Sequence, residues 1–255
     1  MERKKKNTLF AVLVVIIGCL FISTCNNPWI QGLTDHMYCA VCERANARCI
    51  CSPDTPALCT GVHQHNPETG RCNVCGALTY SLRDPGPGGG LIFYRSESGF
   101  PIVGTGTTAY YLEAAPAPAG TDPLHSWSGI YMSTFPAGGG TLGTLEGIGT
   151  GKRNTELIIE ALLVIDPSRT GSAAQFAAQA QGGKNDWFLP SIEELEKMYE
   201  NLRVYGVGGF VADYYWSSSA WPSADEKYSY NFTSGARYRD YTSINPLRVR
   251  AIRAF

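Results

Sequence analysis

The stretch Asp186-Trp-Phe-Leu-Pro-Ser-Ile-Glu-Glu-Leu195 decides how the rest of the chain is read. Trp187 to Leu189 is a short apolar run, and Pro190 stops it. Ser191 then stands where a helix N-cap is wanted, and Glu194 three residues later completes a capping box. Ile192, Leu195, Tyr199 and Leu202 fall on one face of the helix that follows, and Gly206, Gly208 and Gly209 end it.

Outward from this point the elements are short. Upstream, Leu91–Tyr94 and Tyr110–Ala115 read as strands. Asn154 or Thr155 is expected to cap a helix to about Val164, apolar around much of its circumference and therefore buried. Ser172 is expected to cap an Ala-rich helix to about Ala180. Downstream, Tyr215–Ser219 is extended, Tyr228–Phe232 alternates, Thr233-Ser-Gly235 turns, and Leu247–Ile252 alternates into a closing strand. Short antiparallel strands with two or three helices predict an α+β domain. Trp187-Phe188 and Tyr215-Trp216 are expected in the core rather than at a site.

The 255 residues carry 21 Lys+Arg and 22 Asp+Glu, a net charge of −1, which gives no basic surface for nucleic acid. All nine Cys lie before residue 76, so the chain is not one uniform domain. Arg3, Lys4, Lys5 and Lys6 precede an almost wholly apolar Leu9–Ile22, the pattern of an export signal. Ile22-Ser-Thr-Cys25 resembles a relaxed bacterial lipobox, which makes Cys25 the expected lipidation site and residues 1–24 the removed signal. Four of the 21 bases and one of the 22 acids lie in residues 1–24, so the mature chain carries 17 against 21. Residues 25–80 form a small Cys-rich module, expected to be membrane-proximal. Cys39-x-x-Cys42 and Cys72-x-x-Cys75-Gly76 place thiolates on tight turns that suit one tetrahedral zinc ion. Cys49, Cys51, Cys59, His63 and His65 supply a possible second set. Disulfides, favoured outside the cytoplasm, remain the alternative to structural zinc. Ser81–Gly90, rich in Pro and Gly, reads as a linker to a domain over 91–255.

Gly147-Ile-Gly-Thr-Gly-Lys152 invites a phosphate-binding reading and fails it. Glu146 stands where a Walker loop needs Gly, and Arg153 where it needs Ser or Thr. His125 is the only His after residue 89, and Glu193 and Glu194 are accounted for by helix capping and the helix dipole. No nucleophile has a base beside it in sequence.

Eight segments in order, Gly90–Tyr94, Tyr111–Pro116, Ile148–Lys152, Asp186–Ser191, Glu194-Leu195, Gly206–Phe210, Tyr215–Ser219 and Val249–Arg253, resemble the Lcl-type C-terminal domain family of bacteria. The resemblance spans about residues 89–255 and not the Cys-rich module. It implies a C-type-lectin-like fold, in the variant shared with the formylglycine-generating enzyme. It also implies an exported or surface protein, in some members an adhesin. That oxidase uses cysteines and copper, whereas the C-terminal domain here has no Cys, so binding is expected rather than turnover. An enzyme using metal from the Cys-rich segment and a purely structural envelope protein are the alternatives. The expected partners are a membrane, through the lipid anchor, and an extracellular protein or glycan.

The expected binding face is the last forty residues. Ser223, Asp225, Tyr228, Tyr230, Thr233, Tyr238, Arg239, Asp240, Tyr241 and Thr242 give the Tyr-rich, small-polar mixture of a paratope. Lectin-fold relatives include variable proteins of diversity-generating retroelements, and these residue types fit the set that adenine-directed mutagenesis produces. Glu226 and Lys227 do not fit it.

Overall fold

In the computed structural model, residues 51–52, 55–59, 65–73, 76–117, 120–129, 142–179, 181–220, 227–240 and 244–255 are described, with only the backbone for 51–59 and Asp240. Cys25, Cys39, Cys42, Cys75, Ser223, Asp225, Tyr241 and Thr242 lie outside them.

The described chain is α+β. Strands β1 (Cys51–Ser52) and β2 (Thr55–Cys59) pair, as do β3 (His65–Asn66) and β4 (Arg71–Cys72). Next come β5 (Leu91–Ile102), β6 (Thr107–Ala114) and β7 (Leu124–Ser126), then helices α1 (Gly151–Ile165), α2 (Ala173–Ala177) and α3 (Ile192–Met198). A π-helical turn, Tyr199–Arg203, extends α3. Strands β8 (Tyr214–Ala220), β9 (Lys227–Asn231), β10 (Ala236–Asp240), β11 (Pro246–Arg248) and β12 (Ile252–Ala254) follow. They form a five-stranded sheet, β10-β9-β8-β11-β7, and a three-stranded sheet, β12-β6-β5.

The capping box at Ser191 is present in both directions: Ser191 Oγ accepts from Glu194 N, and Glu194 accepts from Ser191 N. The Ser172 box is present too, with Gln175 as its reciprocal partner, although α2 ends three residues earlier than expected. Helix α1 begins a turn before the expected cap. Asn154 and Thr155 are not caps because their side chains are used across the fold. Asn154 bonds Leu145 through both amide atoms, and Thr155 Oγ1 exchanges hydrogen bonds with Leu189. The helix is also buried on one face only: Ile158 and Leu162 are fully enclosed, while Val164 is 76% exposed.

Two apolar clusters fill the core. One joins Phe93, Leu112, Ile192, Leu195, Tyr215 and Phe232, and the other joins Trp127, Ile158, Leu162, Trp187, Leu189 and Trp216. Trp187, Phe188, Tyr215 and Trp216 are therefore core, as expected. Ser217, Ser218 and Ser219 of β8 are wholly buried yet satisfied. Ser217 Oγ donates to Tyr228 O, Ser218 Oγ to Pro190 O and Ser219 Oγ to Leu145 O, tying the central strand to β9 and to the loops around it.

The expected closing strand is divided. Its first part lies in the five-stranded sheet as β11 and its last in the three-stranded sheet as β12, with Val249–Ala251 crossing between. The crossing carries Arg250 inward. Arg250 donates to both carboxylate oxygens of Asp122 and to Gly208 O, with its guanidinium 4.2 Å from the Phe210 ring centre. Tyr215 Oη donates to the same carboxylate. Burial, and then the Asp122 charge, raise the Tyr215 phenol far above its ordinary range.

Residues 81–90 are not a free linker. Gly88 N and Gly90 N donate to the buried carboxylate of Glu113, whose other partner is Arg253. Arg253 in turn grips both oxygens of Asp186. Residues 65–73 and 76–80, assigned from sequence to the Cys-rich module, also pack on the C-terminal domain. Tyr111 Oη donates to Gly70 O and accepts from Tyr80 N, Arg71 lies over the Tyr110 ring, and Tyr80 packs edge-on against Phe255. Pro and Gly suggested a flexible connection. What they supply instead is close backbone approach: a Cβ on Gly90 would fall 1.8 Å from Ala114 O.

Candidate ligand-binding face

Strands β9 and β10 form a regular hairpin, pairing Ala236 with Asn231 through to Asp240 with Lys227. Its turn is built locally. Asn231 Oδ1 accepts from Thr233 N and Ser234 N, and Gly235 takes φ 71°. Gly235 is required twice over, because a Cβ there would lie 2.6 Å from the Tyr199 ring. Gly235→Ala should cost about 2 kcal/mol from the left-handed backbone and the ring displacement. A urea midpoint matching the parent would contradict this.

The structure separates the predicted site residues. Tyr228 and Tyr230 are 5% and 3% exposed and belong to the core. Their expected place on the binding surface is corrected: β9 is an inner strand covered on both faces, so its alternation does not divide it into wet and dry sides. Tyr230 Oη donates to Gly235 O, and burial followed by the nearby Glu196 pushes its phenol up to about 12. Tyr228 is raised too, by burial and then Glu146. Thr233, Tyr238 and Arg239 are exposed, on the turn and on the terminal strand β10. Asp240 pairs with Lys227 through the backbone.

Tyr238 shares its face of the sheet with Tyr214, the two rings meeting edge-on with centres 5.2 Å apart. On the other face, Arg237 is clasped by Glu196 of α3 at 2.7 Å and by Glu146 at 3.2 Å. Two carboxylates from different elements tie β10 to the body, in addition to its backbone ladder with β9. The two acids on Arg237 are 91 and 41 residues away in sequence, beyond the reach of any local pattern.

A cleft of about 400 Å³ lies elsewhere, walled by Gly89–Leu91, Ala114–Ala117, Leu202 and Gly208. Its one charged lining residue, Arg250, is already bound to Asp122. Of the possible metal ligands, Cys72 is buried, with Gly76 N donating to its carbonyl across the expected tight turn. His65 does not fit a second ligand set as it stands. Its Nδ1 bonds Thr79 Oγ1 and its Nε2 bonds Tyr80 Oη. Among the described residues no group of three or more His, Cys, Asp or Glu is placed to hold a metal, and no helix is long and apolar enough to cross a membrane.

Glu194 is the titratable group that sequence reading explained only in part. It is fully buried, and burial pushes its carboxyl up to about 7 against the pull of backbone N–H donors from Ser191, Gly149 and Gly151. The unfolded carboxyl, with an ordinary value of 4.5, ionises first as pH rises, while the folded one keeps its proton. Stability contributed by this group is therefore full below about 4.5 and is lost as pH rises to about 7, a change of about 3 kcal/mol. Urea denaturation of the parent and of Glu194→Gln should show this slope only in the parent.

No protein-family model matches this chain, and no curated protein matches it either.

Proposed function

We propose that the chain is an envelope lipoprotein, anchored through Cys25, that displays a C-type-lectin-like domain and binds an extracellular protein or glycan. The observation that carries this reading is the clasped strand β10. Arg237 and its two acids tie down an outer strand whose Tyr238, on the opposite face, is exposed beside Tyr214. A rigid aromatic on a fixed strand gives large contact area at little entropic cost. The Cys-rich segment before residue 65 then serves as a stalk, stapled through zinc or disulfides.

Screening the mature chain on arrays of glycans and surface proteins tests the reading. For a ligand so found, Tyr238→Ala should weaken binding at least tenfold, the scale of a hot-spot aromatic. Tyr230→Phe, which alters only a buried phenol, should not. Equal affinity of the parent and Tyr238→Ala would remove this face from consideration.

A further inference from the structure

Among the described residues two buried side-chain polar atoms make no hydrogen bond, Gln181 Nε2 and Ser229 Oγ. Gln181 is only half-buried. Ser229 is wholly enclosed, in the middle of the inner strand β9. Ser217, Ser218 and Ser219 on the adjacent β8 are just as enclosed, and each of their hydroxyls is bonded. A buried hydroxyl without a partner costs stability that an apolar side chain would not. Its presence in an otherwise satisfied sheet calls for a cause outside the free fold.

Strand register places the hydroxyl. Ser229 pairs with Trp216 on one side and Tyr238 on the other, and Tyr214 pairs with Asn231, one step along the same face. Side chains opposite one another on paired strands share a face, with Cβ atoms about 5 Å apart. Ser229 therefore lies between two rings, Trp216 fully buried and Tyr238 53% exposed. Tyr238 belongs to the terminal strand β10 and meets Tyr214 edge-on, so its ring can turn aside without disturbing the core. The ion pairs of Arg237 hold the strand from the other face while it does so.

A serine hydroxyl both donates and accepts and carries no charge. Between aromatic rings, that chemistry matches a saccharide, whose C–H face lies on a ring and whose neutral hydroxyls donate and accept. We propose that Ser229 is a buried specificity contact of the Tyr214–Tyr238 face for a saccharide: Tyr238 turns off Ser229, one sugar hydroxyl takes its place and hydrogen-bonds Ser229 Oγ, and the Tyr238 ring closes on the sugar. The free fold carries the unpartnered hydroxyl at a cost in stability, and the complex recovers it. A sugar lacking that one hydroxyl is rejected, because it leaves Ser229 buried and unpartnered. The assignment rests on the binding face proposed above and narrows its ligand to a glycan.

Two measurements on the full chain test it, and the first needs no ligand. In urea, Ser229→Ala should unfold at a midpoint no lower than the parent's, whereas Ser217→Ala, equally buried but bonded to Tyr228 O, should unfold at a lower one. Equal falls for the two variants would show that Ser229 is already bonded in the free protein, to water or otherwise, and would overturn the proposal. In the second, methyl glycosides of glucose, galactose, mannose and N-acetylglucosamine are titrated while the Tyr214 and Tyr238 ring signals are followed by NMR. At least one should shift both rings. Ser229→Ala should weaken that glycoside about tenfold, the worth of one hydrogen bond. One of its monodeoxy analogues should be as weak on the parent, an arm that needs no variant. Unchanged affinity in Ser229→Ala, or for every deoxy analogue, would overturn the buried contact and leave the face a binding surface. If no glycoside moves the rings while an arrayed protein does, the saccharide is overturned and the binding face stands.

Discussion

Replacing Arg250 by Met should destabilise the domain by roughly 3–5 kcal/mol, the usual cost of stranding a buried charge. Asp122 is 1% exposed and Arg250 3%, and the guanidinium covers both oxygens of the carboxylate. Without it, Asp122 keeps Tyr215 Oη as a donor but loses its counter-ion in a site that water does not reach. Gly208 O and Ala115 O lose their donor as well. The double change Asp122→Leu with Arg250→Met removes both charges together and should recover most of the loss, since paired apolar replacements of buried ion pairs are often neutral. Denaturant unfolding of the four chains measures the coupling. A single-variant loss below 1 kcal/mol would mean that the pair is hydrated and not structural.

Removing residues 65–88 should be at least as damaging, although from sequence this stretch is a Cys-rich tail and a linker. The deletion takes Gly88 N from Glu113, both hydrogen-bond partners from Tyr111 Oη, and the Tyr80 ring from Phe255. It also takes Arg83, the one non-glycine residue with positive φ among those described, whose guanidinium lies 4.1 Å from the Tyr205 ring centre. Three or four lost hydrogen bonds at about 1 kcal/mol each, with the newly exposed aromatic surface, amount to roughly 5 kcal/mol. That is comparable to the whole stability of a small domain. A chain beginning at Gly89 should therefore express as insoluble or partly folded protein, while one beginning near residue 65 folds. Equal melting temperatures for the two would restore the linker reading.

The sequence by itself determined the local elements whose cause is local. The capping boxes at Ser172 and Ser191 are written within four residues each, and the glycine turn at Gly235 within five. The aromatic pairs Trp187-Phe188 and Tyr215-Trp216 could hardly be stable anywhere but the core. Only the tertiary structure decided which alternating strand is inside and which outside. Tyr228 and Tyr238 are the same residue type on paired strands, yet β9 is covered on both faces and β10 ends the sheet, and no period of two encodes that difference. The same holds for charge. Glu113, Asp122, Arg250 and Arg253 are buried charges whose partners only the fold brings in, in two cases from more than 120 residues away. Long-range electrostatics and strand order are properties of the assembled sheets, whereas caps and turns belong to the chain that carries them.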